Sequence, residues 1–491
     1  MTGVSGVPDV SGVAGAASAS GVASASGVPT VPGVPGVPGV PAVPGVRGVP
    51  AVPGVPGNRW DLLDGLLPDP LPTVSVVVAH YRQQAELDRT LAALARQDHP
   101  AALLEVVVVD DGSPEPPRVP DGVRLVVQAD EGFRLSAARN LGVRSSTGAV
   151  VCFLDADTVP EPGYVSAMSR LPALAPEALV VGTRRHADFT GVAVDAPVEV
   201  AGPAHELAAP RWLDEAYRGS RDLLDADDRS YRHVIGAVVA CSRELLGRVG
   251  GFDESFTTYG GEDWEWAWRA WRGGALLAHV PDAVAWHDGP DWAGRGSDDD
   301  GSRQRRKNDE TLALAHRVPV AGSRPLGLLG AVADVVVRLG AAPSTGSAWL
   351  CADSVLAALP AARVVVPDEL LDAFAPDPRV LGATSPAAAE ATERARVVVD
   401  LPGPVRVTDA SGLVAVVAEV GVGELGTVEV VDAGPGAGGP GHLARVRSAR
   451  ADARARWRGT ELGFTTRRDA PTWCAPLDGE PSLAAHLGGW G

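Results

Sequence analysis

The sequence is poor in cysteine, and its few cysteines follow no metal-binding or disulfide pattern. The four are Cys152, Cys241, Cys351 and Cys474, and no two of them form a C-x-x-C pair. We therefore expect neither a zinc knuckle nor a disulfide scaffold, and a reducing compartment, the cytoplasm, suits the chain best. Apolar runs of about 18 residues are also missing, as are the basic start and apolar core of a signal peptide, so we expect neither a membrane span nor export.

Positive charge is scarce as well. Lys and Arg together number 43 against 61 Asp and Glu, which gives a net charge of −18, and Lys307 is the only lysine. Without a bulk positive field, the chain is not expected to bind nucleic acid. Peripheral association with the inner face of a membrane stays open.

Composition divides the 491 residues into three regions, which fits the two to four domains that roughly 150 residues per domain allows. Residues 1–57 are almost entirely Gly, Val, Pro, Ala and Ser, a composition that cannot build a packed core and predicts a disordered tail. Ala42 and Ala51 stand at glycine places of the Gly-Val-Pro repeat, which disfavours a collagen helix. Residues 58–325 are expected to form the main domain, and residues 326–491 a smaller α/β domain.

Strands and helices alternate along the main domain. The helices are predicted from leucine spacing and the strands from apolar runs. The predicted strands are 71–80, 105–109, 123–127 and 149–154, and the predicted helices run through Leu87, Leu91 and Leu94 to Gln97 and over 135–146. Almost wholly apolar strands between helices predict a mostly parallel, Rossmann-like α/β sheet with helices on both faces. Ligands of such sheets bind at the carboxyl ends of the strands.

Carboxylates follow two of these strands. Asp155 and Asp157 close one strand, and because side chains alternate along a strand, both can point to the same side. Hard oxygen ligands in such a pair suit magnesium or manganese, although a solvated turn would use the same residues. His287 follows another short apolar strand and is expected to be a third metal ligand. Asp110 and Asp111 end the neighbouring strand, where they form either a turn or an acceptor for a base N–H or a ribose hydroxyl.

Two further segments carry candidate site residues. Arg139 lies near the start of a predicted helix, where it is either a surface charge or faces a diphosphate together with the helix N-terminus. Gly261, Glu262 and Asp263 place an acidic pair at the start of another helix, where one acid could serve as a cap. Tryptophans follow this pair. Most of them are expected in the core, whereas Trp264 and Trp266 are the candidates for contact with a sugar ring.

Four short motifs occur in an order that resembles the family 2 glycosyltransferases of the GT-A fold. They are DDGS at 110–113, SAARN at 136–140, D-x-D at 155–157 and GGEDW at 260–264. The last segment is also similar to part of galactosyltransferases and chondroitin-polymerase-like enzymes. The resemblance covers about residues 72–290.

The resemblance implies a nucleotide-sugar donor, commonly a UDP-sugar, and a divalent cation, manganese or magnesium. Asp111 would contact the uracil or the ribose with Asp110 in support. His80 and Tyr81, which stand where the family often has Tyr-Asn, would line the nucleoside pocket. Asp157, with Asp155 partly through water, would hold the metal on the diphosphate together with His287.

The resemblance also implies the acceptor side of the reaction. Asp263 would be the catalytic base, and Glu262 would orient hydroxyl groups of acceptor or donor. An acceptor hydroxyl is a poor nucleophile until a positioned carboxylate takes its proton. One base opposite the leaving group predicts a single displacement with inversion at the anomeric carbon. A glycan, a lipid-linked intermediate or a small molecule could be the acceptor.

Other functions are less consistent with the sequence. A Rossmann dehydrogenase would show G-x-G-x-x-G after the first strand, where this chain has His-Tyr-Arg-Gln at 80–83. A nucleotidyltransferase would leave the Gly-Gly-Glu-Asp-Trp segment without a role. A non-catalytic sugar- or nucleotide-binding protein would not need both the metal-type and the base-type carboxylates.

The region after residue 325 is predicted to be a second α/β unit, with strands at 333–337, 362–366 and 397–401. Residues 443–459 faintly echo 135–148, and their arginines, from Arg447 to Arg456, are expected on a helix. The region is either a degenerate repeat of the first domain or an unrelated accessory module. Because no Asp-x-Asp ends its strands, we expect no second active site there.

Overall fold

A computed structural model describes residues 54–290, 300–375, 377–432, 441–458 and 464–489. The predicted tail, 1–57, therefore lies outside the described residues except at its end. At that end, Val55 is buried and packs in the core of the main domain. Residues 54–57 thus lie with the folded part of the chain.

The first region folds as one large sheet with helices around it. Its strands are β1 Val74–His80, β2 Leu104–Asp110, β3 Arg124–Val127, β4 Val150–Asp155, β5 Thr158–Pro160, β6 Ala178–Ala187, β7 Glu206–Leu207, β8 Val238–Ser242 and β9 Leu276–Asp288. Its helices are α1 Gln84–Leu94, α2 Leu135–Arg144, α3 Tyr164–Leu174, α4 Val198–Ala204, α5 Arg211–Gly219, α6 Arg243–Val249, α7 Glu262–Arg272 and α8 Asp300–Ala315. Short 3₁₀ turns cover Trp60–Leu63, Ala101–Leu103 and Ser230–His233.

The strand order is β3-β2-β1-β4-β8-β6-β9-β5, with β7 paired to β6. Neighbours among β3, β2, β1 and β4 are parallel, and β6 is parallel to β9, whereas β8 runs antiparallel to both β4 and β6. The mostly parallel α/β sheet predicted from the sequence is therefore confirmed. All residues of β1 are buried, as expected for an apolar strand covered on both faces.

Strand register brings the predicted site residues to one edge. His80 at the end of β1 is opposite Asp110 of β2, and Ala79 is opposite Asp155 of β4. On the other side, β5 pairs with β9 so that Thr158 is opposite His287. The residue after Asp157 thus lies beside His287 although the two are far apart in sequence.

One packing contact gives a direct stability prediction. A Cβ atom at Gly142, inside α2, would lie 2.2 Å from Cγ1 of Val77 in β1. We expect Gly142→Ala to lower the free energy of unfolding by about 1–3 kcal/mol, because overpacking outweighs the better helix propensity of alanine. Urea unfolding of the full chain measures the change. The matched control is Gly247→Ala in α6, where a Cβ meets nothing within 4 Å. Equal stability of the two variants would contradict the packing account.

The second region has its own sheet and its own core. Its strands are β10 Val335–Leu339, β11 Arg363–Val366, β12 Val380–Gly382, β13 Val397–Leu401, β14 Val405–Val407, β15 Leu425–Asp432, β16 Gly441–Ser448, β17 Thr465–Asp469 and β18 Cys474–Pro476. Its helices are α9 Thr345–Ala358, α10 Pro386–Arg394, α11 Ala410–Glu419, α12 Ala449–Arg458 and α13 Leu483–His486, with a 3₁₀ segment at Asp368–Phe374. The order β12-β11-β10-β13-β16-β15-β17 forms the larger sheet, and β14 pairs with β18.

The sequence similarity between 135–148 and 443–459 is not matched by a similarity of secondary structure. Residues 443–448 belong to strand β16, whereas the first residues of the earlier segment form helix α2. Arg447 is accordingly in a strand, and the basic helix begins only at Ala449. No helix within the described ranges is both long enough and apolar enough to cross a membrane.

Candidate active site

Asp157 and His287 meet at the strand edge. Asp157 lies just beyond the end of β4, and its Oδ2 is 3.5 Å from Nε2 of His287. The side-chain amide of Gln83 donates a hydrogen bond to the same Oδ2 at 3.0 Å. The pairing of β5 with β9 holds this arrangement, because it fixes both chain segments as neighbours.

A hydrogen bond from Nδ1 orients the ring of His287. Nδ1 is 3.1 Å from the carbonyl oxygen of Gly289, which can only accept, so Nδ1 carries a proton and donates it. Nε2 of the same ring faces the Asp157 carboxylate. A histidine nitrogen fixed by a backbone carbonyl, beside a carboxylate, is a donor set that fits a divalent cation.

Asp155 does not join this pair directly. Its Oδ1 accepts from Nη2 of Arg139 at 3.0 Å. Among the residues that the structure describes, no three His, Cys, Asp or Glu side chains are grouped closely enough to hold a metal by themselves. The predicted set of Asp155, Asp157 and His287 is therefore brought together only in part, with Asp157 and His287 as its direct members.

Arg139 is buried and links two acidic residues. Its side chain is 2% exposed, so the interpretation of Arg139 as a surface charge is wrong. Besides Asp155, it contacts Glu262, with Nη1 3.0 Å from Oε1. The guanidinium thus connects the end of β4 with the start of α7. Both acids compensate the positive charge of Arg139, which would be costly to bury alone.

Glu262 and Asp263 open α7 after two glycines with left-handed backbone, Gly260 at φ +98° and Gly261 at φ +94°. Such φ values favour glycine, which explains the Gly-Gly pair. The helix N-terminus favours negative charge, so it partly offsets the cost of holding adjacent carboxylates there.

The two acids differ in their hydrogen bonds. Oε1 of Glu262 accepts from Arg139, whereas its buried Oε2 has no hydrogen-bond partner among the described residues. Both oxygens of Asp263 accept backbone N–H groups at 2.8 Å, from Gly236 and from Trp264. Burial and the neighbouring Asp263 raise the pKa of Glu262 to about 7, and burial raises the pKa of Asp263 above its ordinary value. The pair therefore holds a proton more readily than free carboxylates do.

The predicted nucleoside side lies at the ends of β1 and β2. His80 is buried, its Nδ1–H donates to Oδ1 of Asp110 at 2.8 Å, and its Nε2 accepts the N–H of Gln83 at 3.1 Å. Asp110 also accepts from the hydroxyl and the backbone N–H of Ser113, at 2.6 and 2.9 Å. The side chains of His80 and Asp110 thus hold the loops at this edge through hydrogen bonds within the protein.

Asp111 and Tyr81 differ in exposure, because Asp111 is buried with both carboxylate oxygens hydrogen-bonded whereas Tyr81 is exposed. Asp111 accepts from the Gln128 side chain and, at 3.0 Å, from the N–H of Arg134, and burial raises its pKa. Tyr81 is exposed, with the guanidinium carbon of Arg82 4.8 Å from its ring centre. A cleft of about 320 Å³ lies beside His80 and Arg82. The residues that line the cleft are His80, Arg82, Gln84, Ser113, Pro114, Glu115 and Pro117.

The two candidate tryptophans differ in burial. Trp266 is fully buried, lies 4.6 Å from the ring of Phe252 and donates from Nε1 to the carbonyl of Gly250 at 3.0 Å. Its predicted contact with a sugar is therefore wrong, because a core side chain offers no surface to a ligand. Trp264 is only partly buried, and the ammonium group of Lys307 lies 5.2 Å from its ring centre.

No role was predicted from the sequence for three groups that organise the site. Gln83 supports Asp157, and the Gly236 N–H supports Asp263. The Asn140 side chain pairs with both backbone groups of Phe252, at 2.8 and 2.9 Å, and so fixes the segment before the acidic helix. The signals were present only for Gln83, which follows a strand, and for Asn140, which lies in the SAARN motif.

Two family descriptions match this chain. Residues 75–246 match the Glycosyl transferase family 2 description, and residues 226–284 match the N-terminal domain of galactosyltransferase. Chondroitin synthase of Escherichia coli is 30% identical over 52% of this chain and 39% of its own length. Validoxylamine A glucosyltransferase of Streptomyces hygroscopicus subsp. limoneus is 33% identical over 40% of this chain and 48% of its own.

A mannosyltransferase structure from Pyrobaculum calidifontis, in complex with GDP-Man and Mn²⁺, is 23% identical with a TM-score of 0.38, over 55% of this chain and 71% of that one. The chain thus spans less than half the length of the two curated relatives described above.

The matched residues run from β1 into β9 and include both the strand-edge carboxylates and the acidic pair. Residues 75–246 therefore form a glycosyltransferase domain of the family 2 type, and a galactosyltransferase-type segment follows at its end. Glycosyltransferases are enzymes.

Proposed function

We propose that this chain is a metal-dependent, inverting glycosyltransferase that moves a sugar from a nucleotide-sugar, a UDP-sugar, to an acceptor hydroxyl. The observation that carries this proposal is the placement of two acidic centres at one sheet edge. Asp157 lies with His287 on one side, and Glu262 lies with Asp263 on the other. Arg139 connects the two centres through Asp155 and Glu262.

The donor would lie along the ends of β1, β2 and β4. Asp111 would accept a hydrogen bond from the uracil or the ribose, with Asp110 holding the loop and His80 and Tyr81 beside the base. Asp157 and His287 would hold a divalent cation, manganese or magnesium, with Asp155 acting through water. When bound, the cation supplies positive charge that stabilises the departing diphosphate.

The acceptor would be activated at α7. Asp263 would take the proton of the attacking hydroxyl while that oxygen bonds to the anomeric carbon and the bond from that carbon to the diphosphate oxygen breaks. Glu262 would orient hydroxyl groups, and the partly exposed ring of Trp264 would contact a sugar. Attack opposite the leaving group gives one displacement and inverted configuration. The four unpaired, buried cysteines support a reducing compartment, the cytoplasm, for this reaction.

The test is release of nucleoside diphosphate from a panel of nucleotide sugars, with glycan, lipid-linked and small-molecule acceptors. We expect acceptor-stimulated release from at least one UDP-sugar and a product of inverted anomeric configuration by NMR. Tight donor binding without release would favour a binding protein. Release of pyrophosphate from a nucleoside triphosphate and a sugar phosphate would favour a nucleotidyltransferase.

The rate of transfer is expected to fall as the pH is lowered into the acidic range. Burial raises the pKa of Asp263 above its ordinary value, and a protonated Asp263 cannot accept the proton of the acceptor. The free energy of unfolding should change in the opposite sense. It should fall as the pH rises from 4.5 through about 7, because the folded state binds the Glu262 proton more tightly than the unfolded state.

The control for this pH dependence is Glu262→Gln. Removing the charge beside Asp263 should move the acid limb of the rate profile to lower pH, whatever the loss in absolute rate. An acid limb that stays in place would contradict the coupling of the two carboxylates.

A further inference from the structure

The basic helix α12 of the second region buries two arginines against the first region. Arg450 and Arg454 are both almost completely buried, although α12 is otherwise rich in charge. Buried guanidinium groups need partners that satisfy their donors. Their partners are the buried Glu177 carboxylate, which pairs with Arg454, and backbone carbonyl groups, most of them in or just after the last turn of α7.

Arg450 contacts the last turn of α7 directly. Its Nη1 donates to the carbonyl oxygens of Trp271 at 3.1 Å and Ala275 at 2.6 Å. Its guanidinium carbon lies 3.5 Å from the centre of the Trp271 ring. Nη2 also reaches the carbonyl of Gly57, at 3.2 Å. One side chain thus holds the end of the helix and the start of the folded chain.

Two neighbours of Arg450 extend this contact. Arg454 donates from Nη1 to the Gly274 carbonyl at 3.0 Å and from Nη2 to the Val55 carbonyl. Nε1 of Trp457 donates to the Gly273 carbonyl at 3.1 Å. Carbonyls at a helix carboxyl end carry partial negative charge and lack partners within the helix, so cations are stabilised there.

A second link meets α7 at the same tryptophan. Nε1 of Trp271 donates to Asp228 at 2.9 Å, and Asp228 is 3.0 Å from Nη1 of Arg396 in the second region. Arg396 is also paired with Asp334, at 2.7 Å. The carboxyl end of α7 is therefore held by two elements of the second region.

We propose that residues 326–491 brace helix α7, and that Arg450 and Arg454 are positioning residues for Glu262 and Asp263. The helix is continuous over 11 residues, about 16 Å, so a shift at its carboxyl end moves the acids at its other end. This inference rests on the proposed function of the acidic pair. It gives the second region a role that needs no second active site.

The experiment compares three variants of the full chain. Arg454→Met removes the donors and keeps the volume, Arg454→Lys keeps the charge and part of the donor capacity, and Arg456→Met changes an exposed arginine of the same helix. We expect Arg454→Met to lower kcat by about 10-fold or more with a donor KM within about 2-fold of wild type, since small misplacements of catalytic groups are costly. Arg454→Lys should recover part of the rate, and Arg456→Met should match wild type.

Amide hydrogen exchange provides a readout that does not depend on activity. Exchange over residues 262–272 should accelerate in Arg454→Met and stay unchanged over 74–80. Accelerated exchange over both segments, with kcat and KM changed together, would indicate general destabilisation and overturn the proposal, as would unchanged exchange and rate. If the wild-type chain shows no transfer at all, the proposed function fails, whereas exchange still decides whether α12 braces α7.

Discussion

Replacing Asp263 by asparagine is expected to lower kcat by about 10²- to 10⁴-fold, the range that a positioned general base contributes. The amide keeps the size of the side chain and can still accept one of the two backbone hydrogen bonds, from Gly236 and Trp264. It cannot take a proton from the acceptor. Because the donor would lie at the other end of the site, its dissociation constant should stay within a few-fold of wild type.

The matched control is Asp309→Asn, which makes the same chemical change at an exposed position of α8. Turnover is measured as nucleoside diphosphate release with saturating acceptor, and donor binding is measured by calorimetry. Near wild-type turnover of Asp263→Asn would remove the base assignment. Loss of donor binding in step with turnover would instead show that Asp263 holds the donor.

The second large effect is expected at the proposed cation site. Asp157→Asn should lower the affinity for Mn²⁺ and the cation-dependent rate by at least about 10- to 100-fold, the loss that even residues supporting a metal ligand produce. His287→Ala should act in the same direction, because Nε2 faces Asp157 across 3.5 Å. Titration of Mn²⁺ with UDP present, read by calorimetry and by rate, measures both losses.

Asp282→Asn is the control for these variants, since Asp282 lies on the same strand, β9, but is exposed. The competing interpretation is an ion pair between a protonated His287 and Asp157 with no metal. In that case, Asp157→Asn would leave the response to Mn²⁺ unchanged while lowering stability.

The sequence was sufficient for the sheet edge because each signal there is local. Strands β1, β2 and β4 are short apolar runs whose burial follows from composition, and their carboxyl ends must meet once they are parallel neighbours. The positions of Asp110 and Asp155 on either side of β1 follow from that rule. The start of α7 was equally predictable, since Gly260 and Gly261 both have the left-handed backbone that glycine favours.

Features that depend on distant partners were not predictable. The link formed by Arg139 joins residues 16 and 123 positions away, and nothing in the local sequence distinguishes it from a surface arginine. Helical spacing could not separate Trp266 in the core from Trp264 at the edge, because both follow the acidic pair. The carbonyl partners of Arg450 lie 175 to 393 residues away.

The most direct measurement of the central claim is nucleoside diphosphate release by the wild-type chain, with acceptor, in Mn²⁺ and after exhaustive treatment with EDTA. The account predicts release from a UDP-sugar in Mn²⁺, loss of that release in EDTA, and recovery when Mn²⁺ or Mg²⁺ is added back. Release that persists unchanged in EDTA would contradict the cation site formed by Asp157 and His287.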